Sequence, residues 1–237
     1  MFQTLALQLD GAPLEFVVRR AIVAGYTGRD AAKVRAHIEE LERQGIPAPP
    51  SVPTQYEIDP SLITTASEIN IGSRRISGEV EAALLFRSNK LDDALVAAAS
   101  DFTDREEEHR SIQRSKEHPK PLSKQVWKYG DVAGSWDAIA SRSWVERGPN
   151  HALYQAGKLD ALYAPAELLA RLNLSQNFAL AGTVILMGTV PLLAKEFLFT
   201  DYFACELETP GHAKLSLECT LLRKSDQRWD IPAGREP

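Results

Sequence analysis

The sequence predicts a β-rich α+β fold, and three observations predict it. Short extended runs dominate from one end of the chain to the other. Only one segment carries a clear helical repeat. Strands and helices do not alternate as they would in a βαβ protein. The runs at 4–9, 14–18 and 21–24 are broken by Asp10-Gly11 and by charge, and they read as an opening meander. A helix follows over 30–44. Ala31, Val34, Ile38 and Leu41 recur at helical spacing, Asp30 can cap the start, and Gly45 stands where a C-terminal cap belongs. Pro47, Pro49, Pro50 and Pro53 then impose an irregular, rigid connection. Extended segments resume at 54–58, 68–71, 79–86 and 94–99. The charged stretch 104–116 reads as a solvated helix, and 131–139 and 165–172 as two short helices. The last third returns to strand at 141–145, 179–187, 199–208 and 213–222, and 230–237 is polar and loose.

At 237 residues the chain can bury a substantial core. Its 27 basic and 32 acidic residues leave a net charge of −5, which argues against a general nucleic-acid binder. The one basic cluster, Arg110 to Lys124, is interrupted by acids and prolines. Residues 1–10 lack a basic and apolar leader pattern, and no apolar run approaches the roughly 20 residues of a membrane span. Cys205 and Cys219 offer neither a disulfide framework nor a paired-cysteine metal motif. They lie in apolar strands and read as packed, and a reducing cytoplasm is the expected compartment. Ser100, Ser123 and Ser143 have no nucleophile elbow around them, and phosphate-loop and complete dinucleotide fingerprints are absent.

The chemistry-bearing residues fall in short groups. Glu79 and Glu81 are two apart on an extended segment, so their side chains share a face, and Asp101 can add a third carboxylate. Such a set without His or Cys favours Mg2+ or Mn2+ over zinc; the alternative is a solvated strand face. His37 and Glu40 are three apart on the helix, where the acid can orient the imidazole as a general base; the alternative is an ordinary surface pair. Arg29 follows a glycine-bearing turn that could present it to an anion, or that could be turn chemistry alone. Lys116, before Pro119 and Pro121, could meet a substrate carboxylate or simply be solvated. Gly188-Thr189 ends an apolar strand, offering close backbone approach and a hydroxyl, or only a strand-ending turn.

Taken in order, Gly25-x-x-Gly28-Arg29, His37-x-x-Glu40, Glu79-x-Glu81, Asp101-x-x-x-Arg105, Lys116 and Gly188-Thr189 resemble the fumarylacetoacetate hydrolase superfamily. More closely, they resemble its DUF2848 branch, from about residue 23 to 222. The resemblance implies a mixed β-roll with a few short helices as a single domain over 1–237. Within it, 1–60 would hold strands and a lid-like helix, 61–225 a metal-binding core, and 226–237 a loose tail. It implies Mg2+ or Mn2+ on Glu79, Glu81 and Asp101, with water activation by His37 and Glu40. Arg29 and Lys116 would hold the oxygens of a small oxo-acid substrate, Arg105 would stand behind the metal-binding Asp, and Gly188 and Thr189 would line the pocket. A homodimer is implied, and neither nucleic acid nor membrane is a partner. The expected reaction is hydrolysis of a carbon–carbon bond in an acylpyruvate-like acid through a metal-stabilised enolate. A lyase, hydratase or tautomerase on the same scaffold, and a non-catalytic metal or ligand binder, are the alternatives. Three departures stand out, the first being a spacing from Glu81 to Asp101 shorter than in typical members. Val190-Pro191 follows Gly188-Thr189 where the family has proline and a further glycine, and Asp59 stands where it has a Lys.

Overall fold

The computed structural model describes residues 2–147, 149–174, 179–193 and 196–223. The early strands are β1 (Gln3–Leu9), β2 (Ala12–Val18), β3 (Arg20–Gly25), β4 (Thr54–Ile58), β5 (Ile63–Thr64), β6 (Glu68–Ile71) and β7 (Ile76–Ser77). The middle of the chain adds β8 (Val80–Leu85), β9 (Leu95–Ser100), β10 (Thr103–Asp104), β11 (Lys120–Pro121) and β12 (Gln125–Lys128). The last are β13 (Ala140–Arg147), β14 (Asn150–Lys158), β15 (Thr183–Thr189), β16 (Tyr202–Glu208) and β17 (Leu215–Arg223). The helices are α1 (Ala31–Arg43), α2 (Ile112–Ser115), α3 (Tyr129–Val132) and α4 (Pro165–Arg171). No helix among the described residues is long and apolar enough to cross a membrane.

An eight-stranded mixed sheet runs β2-β1-β12-β9-β8-β15-β3-β4, and a five-stranded sheet runs β14-β13-β16-β17-β6. Strand alternation sorts the core into two layers. On β8, Val80, Ala82 and Leu84 face a cluster shared with Phe203, Cys205, Leu207 and Leu217 of the smaller sheet. Ala83 and Leu85 face a second cluster. That second cluster joins Leu5, Leu7 and Phe16 from one end of the large sheet to Tyr56 and Ile58 from the other, so the sheet curls over its own face. β8 and β9 are buried along their whole length, which is why both read as unbroken apolar runs.

Most expected elements are present, and α1 begins where the sequence places it, with Asp30 accepting from the Ala32 and Lys33 N–H groups at 3.1 Å. The segment 104–116 is a correction. It is not one solvated helix but β10, a 3₁₀ turn at Glu107–His109 and the single turn α2. Asp104 accepts from the N–H groups of Glu106 and Glu107, Ser111 caps α2, and Arg105 turns inward, so a continuous helix is interrupted twice. Similarly, 131–139 is α3 followed by a 3₁₀ stretch, Ala133–Ala138. β12 and β14 were not expected from the sequence. The polar ending expected over 230–237 lies outside the described residues.

Candidate functional site

The β8–β9 ladder carries on past its strand ends, where the Asp101 N–H donates to the Glu79 carbonyl at 2.9 Å. This places the three expected carboxylates at one end of the hairpin. β15 lies on the other side of β8 and has a register shift between Leu186 and Thr189. The bulge turns the Gly188 N–H onto Glu81 Oε2 at 2.7 Å. Gly188 has φ +96°, and a Cβ there would stand 2.0 Å from Thr27 Oγ1, so only glycine can make this approach. The Thr189 hydroxyl donates to the Val80 carbonyl at 2.7 Å.

A cavity of about 450 Å³ opens at this place. Arg29, His37, Glu79, Glu81, Asp101, Arg105, Lys116, Gly188 and Thr189 all contribute to its wall. Glu40 does not, and no hydrogen bond or ion pair joins it to His37; both are exposed on α1. The expected dyad is therefore separate groups in this arrangement, with only His37 turned to the cavity. The Arg29 guanidinium is also engaged elsewhere, in a two-pronged pair with Asp137 at 2.6 and 2.8 Å. Asp59 is exposed and accepts from the Ser61 N–H, capping its own turn.

The carboxylates share a cavity wall but not a common point. Glu79 pairs with Arg105 at 2.8 Å, and Arg105 also meets Glu108 at 3.1 Å and Ser77 at 2.8 Å. Asp101 holds Lys116 on Oδ2 at 2.5 Å and has Lys120 at 3.1 Å from Oδ1, close but out of hydrogen-bond alignment. Among the described residues no group of three or more His, Cys, Asp or Glu is placed to hold one metal ion. In this arrangement the three carboxylates expected to form a cage stand on one wall without converging. Side-chain cations draw Glu79 and Asp101 toward their own partners.

The electrostatics follow from burial. Glu81, 2 % exposed, has its carboxyl pushed well above the ordinary value, first by burial and then by Asp101. Burial acts on Asp101 in the same direction, but Lys116 and Lys120 outweigh it and hold that carboxyl low. Burial pulls Lys116 down, and Asp101 and Glu79 more than reverse it. Lys120 goes the other way. Burial, with Lys116 adding to it, brings its ammonium down to about 8. This fully buried lysine donates to the Phe102 carbonyl at 2.6 Å. The sequence shows it only as a member of the interrupted basic cluster; in the fold it lies on β11, paired with Ile63 of β5. Gln155 was also missed. Its amide accepts from the Val80 N–H at 2.9 Å and donates to the Val190 carbonyl at 2.7 Å and to Thr189 Oγ1 at 2.8 Å. Both cysteines are buried, and burial raises both thiols, Cys219 to about 12, so neither is a nucleophile.

Three solved structures show how far the fold is shared. A Yersinia pestis protein assigned to the fumarylacetoacetate hydrolase family superposes with a TM-score of 0.64 at 16% identity, covering 92% of this chain and 100% of that one. A fumarylpyruvate hydrolase from Pseudomonas aeruginosa, in complex with Mn2+ and pyruvate, gives 0.62 at 15% identity over 93% and 97%. A 2-keto-3-deoxyarabinonate dehydratase gives 0.65 at 14% identity over 88% and 75%. At such identities the likeness establishes the fold. No curated protein sequence matches the chain. The family model that does match is described as a protein of unknown function, DUF2848, and it covers residues 24–220. With that match over most of its length and with this fold, the chain belongs to the DUF2848 family, on the fumarylacetoacetate hydrolase architecture.

Proposed function

We propose that the protein is a divalent-metal-dependent enzyme that hydrolyses a carbon–carbon bond in a small oxo or diketo acid through an enolate. One observation carries this reading. Acids from the β8–β9 hairpin, cations from the segment after it, the β15 bulge and His37 of α1 all line one cavity. The donor chemistry fits a hard cation, because the acids are carboxylates alone and Glu81 is a buried carboxyl without an ion-pair partner among the described residues. Glu79, Glu81 and Asp101 are the residues that would hold Mg2+ or Mn2+, with Lys116 released from Asp101. When bound, such an ion supplies Lewis acidity to adjacent substrate oxygens. The chain's own groups do the rest. His37 removes a proton from water, with Glu40 as its orienting partner once α1 settles over the cavity. Lys116 and Arg105 offset the substrate's negative charge, and the Gly188 N–H keeps Glu81 in place.

The second reading is a lyase, hydratase or tautomerase using the same enolate. The separation of His37 from Glu40 favours it, since those reactions do not require an activated water to attack a carbonyl. A non-catalytic ligand binder is the third. We read the protein as a homodimer on the strength of the resemblance, and as cytoplasmic because its two cysteines offer no disulfide framework. The deciding experiment follows products by NMR with Mn2+ present, using acetopyruvate for cleavage, oxaloacetate for decarboxylation, and solvent deuterium uptake for tautomerisation. Cleavage that is lost in both Glu79→Ala and His37→Ala is the expected result. If Glu79→Ala abolishes metal binding while His37→Ala turns over normally, the hydrolytic mechanism fails. Ligand binding without any turnover would leave the binder.

A further inference from the structure

Two arginines stand opposite each other at the end of the β7–β10 ribbon, and each lies against a phenylalanine of the same short segment. The Arg105 N–H donates to the Arg75 carbonyl at 2.9 Å, one step past the pairing of Asp104 with Ile76. The Arg105 guanidinium carbon is 3.8 Å from the centre of the Phe197 ring, and that of Arg75 is 4.5 Å from the Phe199 ring. At such distances an aromatic face attracts the charged fork as well as covering it. Leu198, between the two phenylalanines, packs against the core, and its N–H donates to the Tyr154 hydroxyl at 3.2 Å. The Tyr154 carbonyl accepts the Leu193 N–H at 2.9 Å, so β14 holds both Leu193 and Leu198. Phe197 and Phe199 are therefore delivered to their arginines by backbone that is itself anchored.

The two contacts differ in what the arginine touches next. Arg75 is not part of the described cavity wall, whereas Arg105 is. Each Arg105 nitrogen faces a different group: Nη2 meets Glu79 at 2.8 Å, Nη1 meets Glu108 at 3.1 Å, and Nε donates to Ser77 at 2.8 Å. The Glu79 contact is close but out of hydrogen-bond alignment, so a small tilt of the guanidinium decides how firmly that acid is gripped. Partners at the edge of a planar fork fix its reach, and a ring on its face fixes its tilt. We propose that Phe197 is a positioning residue, whose ring sets the tilt of the Arg105 guanidinium and through it the place of the Glu79 carboxylate in the site. This rests on the reading of Glu79 as a metal-holding residue and extends it to a side chain outside the cavity.

Phe199 supplies the control, because it makes the same kind of contact from the same segment with an arginine that is not in the cavity wall. The metal-free protein is read first, by NMR of the Arg105 Nε–H. That resonance should shift in Phe197→Leu, where the ring current is lost, and stay in place in Phe199→Leu. Mn2+ is then titrated calorimetrically into each protein. Phe197→Leu keeps an apolar cover but no aromatic face, and should bind Mn2+ about three- to tenfold more weakly, the worth of one such contact. Phe197→Tyr restores the face and should bind within about twofold of the parent, as should Phe199→Leu. Equal weakening in the two leucine variants would make the segment a structural strap and overturn the proposal. So would unchanged or tighter binding in Phe197→Leu, or an Arg105 resonance that this change does not move. If the parent itself binds no Mn2+, the metal reading falls, and the positioning of Arg105 is decided by the metal-free resonance alone.

Discussion

Gly188 and Lys120 show opposite ways for one residue to hold the site. At Gly188 the backbone does the work, with its N–H on Glu81 and φ +96°. Gly188→Ala adds the roughly 1–2 kcal/mol of a left-handed backbone and drives a methyl into Thr27. A fall in the urea midpoint larger than that first figure is expected, together with weaker Mn2+ binding; an unchanged midpoint would contradict this account. The close approach could be anticipated, because a glycine ending an apolar strand invites it. Lys120 could not. In Lys-Pro-Leu-Ser-Lys it looks solvated, and nothing local says that Asp101 and the Phe102 carbonyl wait for it. Lys120→Met would leave that carbonyl unpaired and Asp101 with one cation fewer. A cost of about 3 kcal/mol or more in chemical denaturation is expected, as for other broken buried pairs.

At the scale of elements, the regular pieces were legible and the irregular ones were not. α1 declared itself through Asp30, its apolar spacing and Gly45, all of which act within one turn of the helix. β14 did not. Its register shifts against β13 between Ser143 and Trp144, and the extra residue turns both Tyr154 and Gln155 inward. Two consecutive buried residues erase the period-two signal that would have marked the strand. The same bulge brings the Gln155 amide to Val80 on one side and Val190 on the other, tying the strand of the acids to the end of β15. Gln155→Leu strands the Val80 N–H and the Ser143 hydroxyl and leaves the Val190 carbonyl only the Thr189 hydroxyl at 3.3 Å. At about 1–3 kcal/mol for each buried unsatisfied group, a loss of about 3 kcal/mol is expected in urea unfolding. Gln155→Glu keeps the acceptor for Val80 but buries an acid against the Val190 carbonyl at a position 0 % exposed, so it should lose at least as much as the leucine variant at neutral pH and recover as the acid is protonated. If either variant unfolded at the parent's midpoint, the cross-tie would not be acting through these bonds.

Over the whole molecule, the order of the motifs pointed to the fold. Their convergence depends on strand order, which no local pattern encodes: β8 lies between β9 and β15, so residues near 80, 100 and 188 become neighbours. What the sequence concealed is the charge balance at that meeting point. Glu79, Glu81, Asp101 and Glu108 face Arg105, Lys116 and Lys120, and the Glu81 carboxyl, without an ion-pair partner among the described residues, is raised by burial and by Asp101. A carboxyl raised above its ordinary 4.5 adds stability below that value, and the contribution is lost as the pH climbs through its folded pKa. A divalent cation competes with the proton of that carboxyl, so it should bind more tightly as the pH rises across the same window. Because the cation needs the folded cavity, it stabilises the whole fold by mass action, by about 2.7 kcal/mol at a hundredfold excess over Kd. The melting temperature should therefore rise with Mn2+ concentration, and more steeply at pH 8 than at pH 5. Glu81→Gln removes the titrating group but keeps an oxygen for the Gly188 N–H. It should melt close to the parent without metal and show no Mn2+ shift at either pH. A variant that kept the full shift would remove Glu81 from the metal set, and one that melted far lower without metal would mean that Glu81 is held ionised in the folded protein.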